Sequence, residues 1–353
     1  MKKILIITRG QFGTLTDTYQ YCKHLSHTHK ISYICFDENV PKMVLPNVNI
    51  HYISYKGNRL FRGIRFILLV MKHILFYNGA IFIVYFSQCE WIKRIMFWKK
   101  IHLDIRTLSV KQNEIERIKE DTAIANACQY FSSISVITEA IGHKLELSDK
   151  HPYILPLGAD CISSVPCKTY SEMHLLYVGS LFNRKIIDTV IGVHKYINNN
   201  PESTISYDIV GDGEEIDTLK YYIKENHLES IIKIHGRVTY DNLKPFFDKC
   251  NIGISYVPIY DYYQHQPVTK TFEYIMSGLY CIATDTIENQ KIVSPLNGIL
   301  IESNSEAFTR ALESISKKSD SIDFLAIKNT LLEYQWKNII GDKLLPIINS
   351  LQK

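Results

Sequence analysis

Short apolar runs with the two-residue period of β-strands alternate with amphipathic helical stretches along all 353 residues. Such alternation is typical of parallel sheets whose strands are joined by crossover helices. Strands are predicted in the first half at residues 2–8, 31–36, 49–54, 80–86, 101–105, 133–138 and 152–158. The second half repeats the pattern at residues 174–179, 205–211, 232–236, 252–257, 280–285 and 298–301, with helices such as 214–226 and 309–318 between strands.

A polar stretch at 160–172 separates the two series of strands and is predicted to be a linker. The length also suits two domains better than one. We therefore predict an α/β protein of two Rossmann-like, doubly wound domains that face a central cleft, with boundaries at 1–160 and 170–333. In open parallel sheets, ligands bind beyond the carboxyl ends of the strands, so candidate residues are sought there.

Composition and local pattern argue against a disordered, a disulfide-bonded secreted and a membrane-spanning protein. Hydrophobic residues make up 46% and charged residues 22%, so both domains can bury a core. The eight cysteines form no CxxC pair and are predicted to be buried small residues in a reducing compartment. The N-terminus has the pattern of a strand rather than a signal peptide, and the apolar helical run 66–71 is far shorter than the ~20 residues of a membrane span. These features favour a cytoplasmic protein.

The net charge is only +4, but basic residues are concentrated between Lys56 and Lys100. Nine lysines and arginines stand there against Glu90 alone, interleaved with bulky aromatic residues. This combination favours peripheral contact with an anionic membrane surface. The alternative is two amphipathic helices with solvated basic edges. No nucleic-acid partner is expected, since no nucleic-acid-binding motif accompanies the basic residues.

The loop 8–14, between the first strand and its helix, is a candidate anion site. Gly10 and Gly13 would allow the backbone to approach a ligand, and Gly13 is a candidate donor-binding residue. Asp37 lies where dinucleotide folds keep a ribose-binding acid, which leaves a nicotinamide-binding domain as an alternative. Against it, the GxGxxG spacing is absent, and Gln11 and Phe12 would crowd a pyrophosphate.

The loop after the first strand of the second domain, Gly179–Lys185, carries two adjacent cations. Arg184 and Lys185 lie where a helix begins, and together they can neutralise a diphosphate. An exposed basic turn with no ligand is the alternative.

A helix is predicted between Pro267, which can open it, and Gly278, which can close it. Thr269 and Glu273 are four residues apart and project from nearly the same face. Glu273 needs a partner in a half-buried helix, and a ribose diol would serve. The alternative is a structural acid paired with Lys270.

Several runs of the sequence resemble the motifs of a known family. The run TKTFEYIMSGLYCIATD resembles the signature of retaining, family 4-type GT-B glycosyltransferases, the glycosyl transferases group 1. The runs YVGSLFNRK, YDIVGDGEE, IHGRV and LPLGAD resemble further landmarks of that family in order and spacing. Tyr334 and Trp336 resemble the aromatic pair that precedes a last helix, here about 335–353, crossing back to the N-terminal, acceptor-side domain.

The resemblance implies a role for each matching residue. Glu273 should hold the nucleotide ribose, Lys185 is the phosphate-loop lysine, and Arg237 flanks the base. Thr269 and Lys270 should lie near the diphosphate and sugar. The complete set of donor-binding residues expected on these grounds is Gly13, Gly179, Ser180, Arg184, Lys185, Arg237, Thr269, Lys270 and Glu273.

Three positions depart from the family pattern. His265 stands where the first glutamate of the signature is expected, and Ser180 replaces the usual phosphate-loop arginine. The loop that carries a catalytic histidine in many relatives contains Asp104 and Arg106 instead, and one of these is expected to orient the acceptor or the reacting sugar. His265 either acts on a sugar hydroxyl or assists deprotonation of the acceptor, or it has no chemical role. Asp104, Arg106 and His265 are therefore the candidate catalytic residues.

The resemblance implies transfer of a sugar, with retention at the anomeric carbon, from a nucleotide sugar to a saccharide. UDP-sugar is the expected donor, and no further cofactor is expected. A lipid-linked acceptor in capsule, exopolysaccharide or lipopolysaccharide assembly would suit the basic, aromatic region. No Asp-x-Asp motif appears, so independence of metal is predicted. Two alternatives stay open: a degenerate relative that binds without transfer, and a sugar-nucleotide epimerase.

Overall fold

A computed structural model describes residues 1–352. The chain forms two compact units. The first comprises residues 1–158 together with the C-terminal segment from Trp336, and the second comprises Ala159–Gln335. Each unit is built around one parallel sheet.

Within residues 1–158, seven parallel strands form a sheet in the order β3-β2-β1-β4-β5-β6-β7. These are β1 (Lys2–Ile7), β2 (His29–Asp37), β3 (Val48–Ser54), β4 (Ala80–Val84), β5 (His102–Ile105), β6 (Ser133–Val136) and β7 (Tyr153–Ile154). The helices between them are α1 (Thr16–Leu25), α2 (Arg59–Leu75), α3 (Glu90–Ile95), α4 (Glu114–Cys128) and α5 (Glu139–Lys144), followed by a 3₁₀ turn, Ser148–Lys150.

Within residues 159–335, six parallel strands form a second sheet in the order β10-β9-β8-β11-β12-β13. These are β8 (Met173–Val178), β9 (Ile205–Val210), β10 (Ile232–Ile234), β11 (Ile252–Ser255), β12 (Tyr280–Thr284) and β13 (Gly298–Ile301). The helices are α6 (Ile187–Asn199), α7 (Ile216–Glu225), α8 (Lys244–Lys249), α9 (Thr269–Met276), α10 (Ile287–Gln290), α11 (Ser305–Lys318) and α12 (Phe324–Asn329). Short 3₁₀ turns lie at Tyr240–Asn242, Ser319–Ser321 and Leu332–Tyr334.

Each predicted strand is present, but the seventh, predicted at 152–158, is only Tyr153–Ile154. The central strands of each sheet are covered on both faces. Every residue of β4 is buried, and so is every residue of β12. A strand covered on both sides is apolar at consecutive positions and is easily recognised in a sequence. The strand order is that of a Rossmann sheet in each unit, so the predicted α/β class and doubly wound topology are confirmed.

The polar stretch 160–172 differs from the predicted linker because it is bonded to the second unit. The carboxylate of Asp248 accepts hydrogen bonds from the Ser164 backbone N–H at 2.7 Å and the Ser163 hydroxyl at 3.0 Å. The Tyr170 hydroxyl donates to the carbonyl of Gly278 at 2.7 Å. The polar side chains of this stretch therefore form hydrogen bonds with the second unit, and the stretch is part of that unit.

The C-terminal segment contributes to the core of the first unit. Trp336 is 1% exposed and packs edge-on against Tyr21, with 5.9 Å between ring centroids. A Cβ at Gly158 would lie 2.5 Å from the Trp336 ring, so only glycine allows this approach. The segment is helical at α13 (Trp336–Asn338) and α14 (Leu345–Leu351), with a π-helical stretch at Ile339–Leu344 between them.

The structure of residues 1–352 also bears on the predictions about membrane spans and cysteines. None of the helices there is long and apolar enough to cross a membrane. All eight cysteines are unpaired. Six are buried as predicted, but Cys161 and Cys167 are exposed because they lie in the polar stretch along the surface of the second unit.

Candidate functional site

Short contacts of Gly179 and Ser180 fix the path of the loop after β8. The N–H of Gly179 donates to the carbonyl of Val210 at 3.0 Å. A Cβ at Gly179 would lie 2.8 Å from the hydroxyl of Tyr177, which donates to the Ser180 carbonyl at 2.7 Å. The Ser180 hydroxyl accepts from the N–H of Phe182 at 3.3 Å. Gly179 and Ser180 therefore fix the loop at the carboxyl edge of the second sheet.

The backbone amides at the end of this loop are already occupied. The carboxylate of Glu215 accepts from the N–H groups of Arg184 at 2.5 Å, Lys185 at 2.9 Å and Ile186 at 2.8 Å. A carboxylate satisfies free amides before a helix as an N-cap does. An anionic ligand at this loop would consequently be held by the side chains of Arg184 and Lys185, rather than by these three amides.

Both cationic side chains lie over tyrosine rings of the segment 256–268. The Arg184 guanidinium is 4.9 Å from the ring centroid of Tyr263, and the Lys185 ammonium is 5.3 Å from that of Tyr260. A hydrogen bond to the Tyr260 hydroxyl raises the pKa of Lys185. Lys185 keeps its full charge at neutral pH, and the aromatic faces hold the two cations side by side.

Helix α9 presents its first turn at the same edge of the sheet. Its N-cap, Val268, gives no side-chain hydrogen bond, so the first backbone N–H groups lack a side-chain cap. Thr269 and Lys270 are half-buried there. The helix ends before Gly278, whose φ is +73° and whose Cβ would lie 2.1 Å from Phe324. The predicted end of the helix at this glycine is confirmed.

Glu273 lies deeper in the same helix and is only 2% exposed. Its carboxylate forms an ion pair with the Lys270 ammonium. The Lys270 ammonium also lies 5.4 Å from the Tyr240 ring centroid. Burial raises the pKa of Tyr240, and the nearby Glu273 carboxylate raises it further. The pair with Lys270 is the alternative that the sequence left open, and the remaining carboxylate lone pairs stay compatible with a ribose.

Two other predicted residues lie on loops of the second unit. Arg237 is exposed and follows Gly236, whose carbonyl accepts from the N–H of Gly211 at 2.9 Å. It therefore stands at the carboxyl edge of the second sheet, and its contact with a base stays a prediction. His265 is half-buried in the segment that carries the tyrosines. Its neighbour Gln264 accepts from the N–H of Ile287 at 3.0 Å, which ties the segment to α10.

In the first unit, the loop after β1 differs from expectation in one respect. Gly13 has φ +92°, and a Cβ there would lie 2.3 Å from the sulfur of Met43. Gln11 is fully buried, and its side chain donates to the carbonyl of Val40 at 2.8 Å. Phe12 is buried against Tyr33. The prediction that Gln11 and Phe12 would crowd a ligand is wrong, because both side chains turn into the core.

Asp104 and Arg106 form a network inside the first unit. Asp104 is 0% exposed and accepts from the Ser135 hydroxyl at 2.5 Å, and burial raises its pKa to about 6. Arg106 donates to the Asp17 carboxylate at 2.7 Å and to the Leu155 carbonyl at 2.6 Å, and its Nε lies 3.8 Å from Asp104. The expectation that Asp104 faces a substrate is corrected by its burial. A role for Arg106 in orienting the acceptor stays a prediction.

Residues 171–323, most of the second unit, match the family described as Glycosyl transferases group 1. The second unit is a group 1 glycosyl transferase domain. The family resemblance predicted from the sequence is thereby confirmed. No curated protein sequence matches the chain.

Solved structures share the fold of the whole chain. Sucrose-phosphate synthase from Thermosynechococcus elongatus has a TM-score of 0.77 at 15% identity, over 99% of both chains. HepE from Anabaena, solved with UDP and glucose, has a TM-score of 0.75 at 13% identity, over 99% of this chain and 100% of that one. The lipopolysaccharide outer core galactosyltransferase WaaB in its apo form gives 0.69 at 13% identity, over 99% of each. The predicted GT-B fold, with two Rossmann-like domains, is confirmed.

Within the group 1 domain, sequence reasoning missed two features. Glu215 was part of the run YDIVGDGEE, but nothing indicated that its carboxylate accepts hydrogen bonds from the backbone N–H groups of Arg184, Lys185 and Ile186. The tyrosines at 260, 262 and 263 were also overlooked, although three aromatic residues in four positions of a loop are an unusual signal. The rings of Tyr260 and Tyr262 stack with 5.4 Å between their centroids, and the ring of Tyr263 is tilted against that of Tyr262 at 4.8 Å.

Proposed function

We propose that the protein is a retaining glycosyltransferase that moves a sugar from a nucleoside diphosphate sugar, UDP-sugar first, to a lipid-linked saccharide. The observation that carries this proposal is the group 1 domain in which Lys185 and Arg184 lie side by side on the tyrosine segment. HepE, which has the same fold, was solved with UDP and glucose. The acceptor would belong to surface polysaccharide assembly on the cytoplasmic face of the membrane.

Charge stabilisation is the proposed source of catalysis. When the bond between the sugar and the diphosphate breaks, negative charge accumulates on the leaving phosphate and the sugar gains oxocarbenium character. The Lys185 ammonium and the Arg184 guanidinium supply positive charge for that phosphate, and the uncapped first turn of α9 supplies backbone N–H groups. Thr269 and Lys270 stand at the same turn, where they would contact the diphosphate and the sugar.

Glu273 is proposed to hold the nucleoside through its ribose. The ion pair with Lys270 fixes the position of the carboxylate in the buried helix. An ionised carboxylate accepts hydrogen bonds from both hydroxyls of a vicinal diol. In this account the two alternatives for Glu273 combine, because the pair with Lys270 orients the acid for the ribose.

The acceptor side is supported by the surface of the first unit. Phe76 is 87% exposed and Phe97 74% exposed, and both lie in the basic region 56–100. Exposed aromatic residues beside lysines and arginines suit an anionic bilayer surface. WaaB, which shares the fold, is by its name a galactosyltransferase of the lipopolysaccharide outer core. A surface-polysaccharide role for this chain is proposed on these grounds.

Transfer activity and its independence of metal are tested together. With UDP-glucose, UDP-galactose and UDP-N-acetylhexosamines over a panel of lipid-linked acceptors, we expect one donor to be consumed only when an acceptor is present. We expect EDTA to change the rate by less than about twofold, because the cations of the site are side chains. Among residues 1–352, no three His, Cys, Asp or Glu side chains gather into a candidate metal group. The anomeric configuration of the product is determined by NMR.

The other outcomes discriminate between the alternatives. Loss of activity in EDTA that Mg²⁺ restores would contradict independence of metal. Conversion of the donor without any acceptor would indicate an epimerase. A donor that binds but is never consumed would indicate a degenerate relative. An inverted anomeric centre in the product would contradict retention.

A further inference from the structure

A groove in the first unit runs between α2 and α3. It has a volume of about 610 Å³, and its walls are mostly apolar side chains. The side chains that form these walls include Leu60, Ile64, Ile67, Leu68, Trp91 and Ile95. Leu60 and Leu68 are mostly exposed, so the groove opens along its length to the surface of the unit. We call it the α2–α3 groove.

One end of the groove is cationic. A second pocket of about 450 Å³ shares Arg9, Arg59 and Gly63 with the groove, and the two are therefore continuous. Arg62 completes the cationic lining, and Glu38 is the carboxylate on its wall. We call this end the arginine pocket. Three guanidiniums against one carboxylate leave an excess of positive charge.

Two of the three guanidiniums lie over aromatic rings, and that of Arg62 also donates to the Tyr55 carbonyl at 3.2 Å. Arg9 lies 4.8 Å from the ring centroid of Phe86, and Arg62 lies 3.7 Å from that of Tyr55. In the described part of the chain, no ion pair is formed by Arg9, Arg59 or Arg62. Burial lowers the pKa of Arg9, and the guanidiniums of Arg59 and Arg62 lower it further. An anion between the three would relieve their mutual repulsion.

Gly63 keeps space open where the groove meets the arginine pocket. It lies inside α2, where glycine is a poor helix former. A Cβ at this position would meet no atom closer than the Arg9 guanidinium at 4.0 Å, so packing does not require a glycine here. The missing side chain leaves room beside Arg9 instead.

The arginine pocket also lies at the ligand-binding edge of the first sheet. Arg9 and Gly10 follow β1, and Glu38 follows β2. Parallel sheets bind ligands beyond the carboxyl ends of their strands. The apolar groove leads away from this edge between two helices. A ligand that fits both parts has an anionic head and a single apolar chain, and arginine is the side chain best suited to a phosphate head.

We propose that the arginine pocket and the α2–α3 groove bind the lipid diphosphate end of the acceptor, with the diphosphate on Arg9, Arg59 and Arg62 and the first part of the chain against Ile64, Leu68 and Trp91. This inference rests on the proposed function, in which the acceptor is lipid-linked. A two-chain phospholipid of the bilayer is the other occupant, and the vesicle experiment below tests it.

The test uses farnesyl diphosphate, a soluble single-chain lipid diphosphate, with no nucleotide sugar present. Isothermal titration calorimetry is expected to show binding at least tenfold tighter than that of inorganic diphosphate or of farnesol. Arg9→Gln and Arg59→Gln are each expected to weaken farnesyl diphosphate binding about tenfold. Gly63→Leu is expected to do the same by filling the junction, and because the space there is open, its melting temperature should stay near that of the wild type. Arg117→Gln, on α4 of the same unit, is the matched control and should bind normally.

Three results would overturn the inference. The first is equal binding of farnesyl diphosphate and inorganic diphosphate. The second is unchanged affinity in a folded Gly63→Leu variant. The third is binding to phosphatidylglycerol vesicles that Arg9→Gln and Gly63→Leu abolish but farnesyl diphosphate does not displace, which would assign the surface to bilayer phospholipid. Tight farnesyl diphosphate binding without any sugar transfer would contradict the proposed function alone. Sugar transfer with no preference for farnesyl diphosphate over inorganic diphosphate would contradict this inference alone, so the two failures give different results.

Discussion

A Lys185→Ala variant is expected to lose more than tenfold in the turnover of sugar transfer, equivalent to about 1.4 kcal/mol or more of transition-state stabilisation. The Lys185 side chain is exposed, and its ammonium lies beside Arg184 on the tyrosine segment, where a diphosphate can reach it. Because the charge on the leaving phosphate grows as the bond breaks, the ammonium stabilises the transition state more than the bound donor. Steady-state kinetics should therefore show kcat and kcat/KM falling together, with little change in the KM for the donor.

Lys185 has a left-handed backbone conformation, so a second variant is needed to separate loss of the ammonium from backbone strain. Its φ is +55°, a conformation that asparagine tolerates better than most residues. Lys185→Asn removes the ammonium with little backbone strain and should lose as much turnover as Lys185→Ala. Lys317→Ala, an exposed lysine in the last turn of α11, is the control and should retain full activity. Normal turnover in both Lys185 variants would refute the role of this lysine in departure of the diphosphate.

A Glu273→Ala variant is expected to bind the donor far more weakly, by at least tenfold in Kd measured by calorimetry. The variant loses the acceptor for the ribose hydroxyls and also leaves the Lys270 ammonium without its carboxylate. Hydrogen bonds to a charged group contribute roughly 1.5–3 kcal/mol each, which agrees with a loss of that size. Glu273→Gln keeps the shape and one acceptor oxygen, so it should retain part of the affinity.

The control for Glu273 is available within the same unit. Glu288 is also a buried glutamate, 5% exposed, and it pairs with a lysine three residues later, Lys291, at 2.6 Å. Glu288→Gln should disturb stability in the same way as Glu273→Gln without weakening donor binding. If Glu273→Ala folds and binds the donor normally, the carboxylate serves only its ion pair with Lys270.

The sequence predicted those parts of the fold that depend on neighbouring residues, such as apolar strands and helix ends. Strands such as β4 and β12 are apolar throughout because both faces of the sheet are covered. The end of α9 followed from Gly278, since few other residues accept its backbone conformation. The family landmarks identified the group 1 domain because several short motifs occurred in one order and spacing. The start of that domain was less clear, because 160–172 is polar yet bonded to residues such as Asp248, far along the chain.

The candidate site was predicted in part, because a sequence does not say which way a side chain turns. Asp104 was expected to face a substrate, but its partner in the core, Ser135, comes from a neighbouring strand 31 residues later. Gln11 and Phe12 were expected to crowd a ligand and instead are buried. Glu215 binds amides 29–31 residues earlier in the chain. Contacts of that separation depend on how the strands assemble, and no local pattern reveals them.

The central claim is that the second unit binds the nucleoside diphosphate of a sugar donor, and ligand-dependent stability tests it most directly. The melting temperature of the purified protein is measured with UDP, GDP, dTDP, CMP and NAD at millimolar concentration, without metal. A ligand at 100 times its Kd adds about 2.7 kcal/mol of stability, enough for a clear rise. The account predicts a selective rise with one nucleoside diphosphate, UDP first, and none with NAD. A rise with NAD alone, or with none of the five, would contradict it.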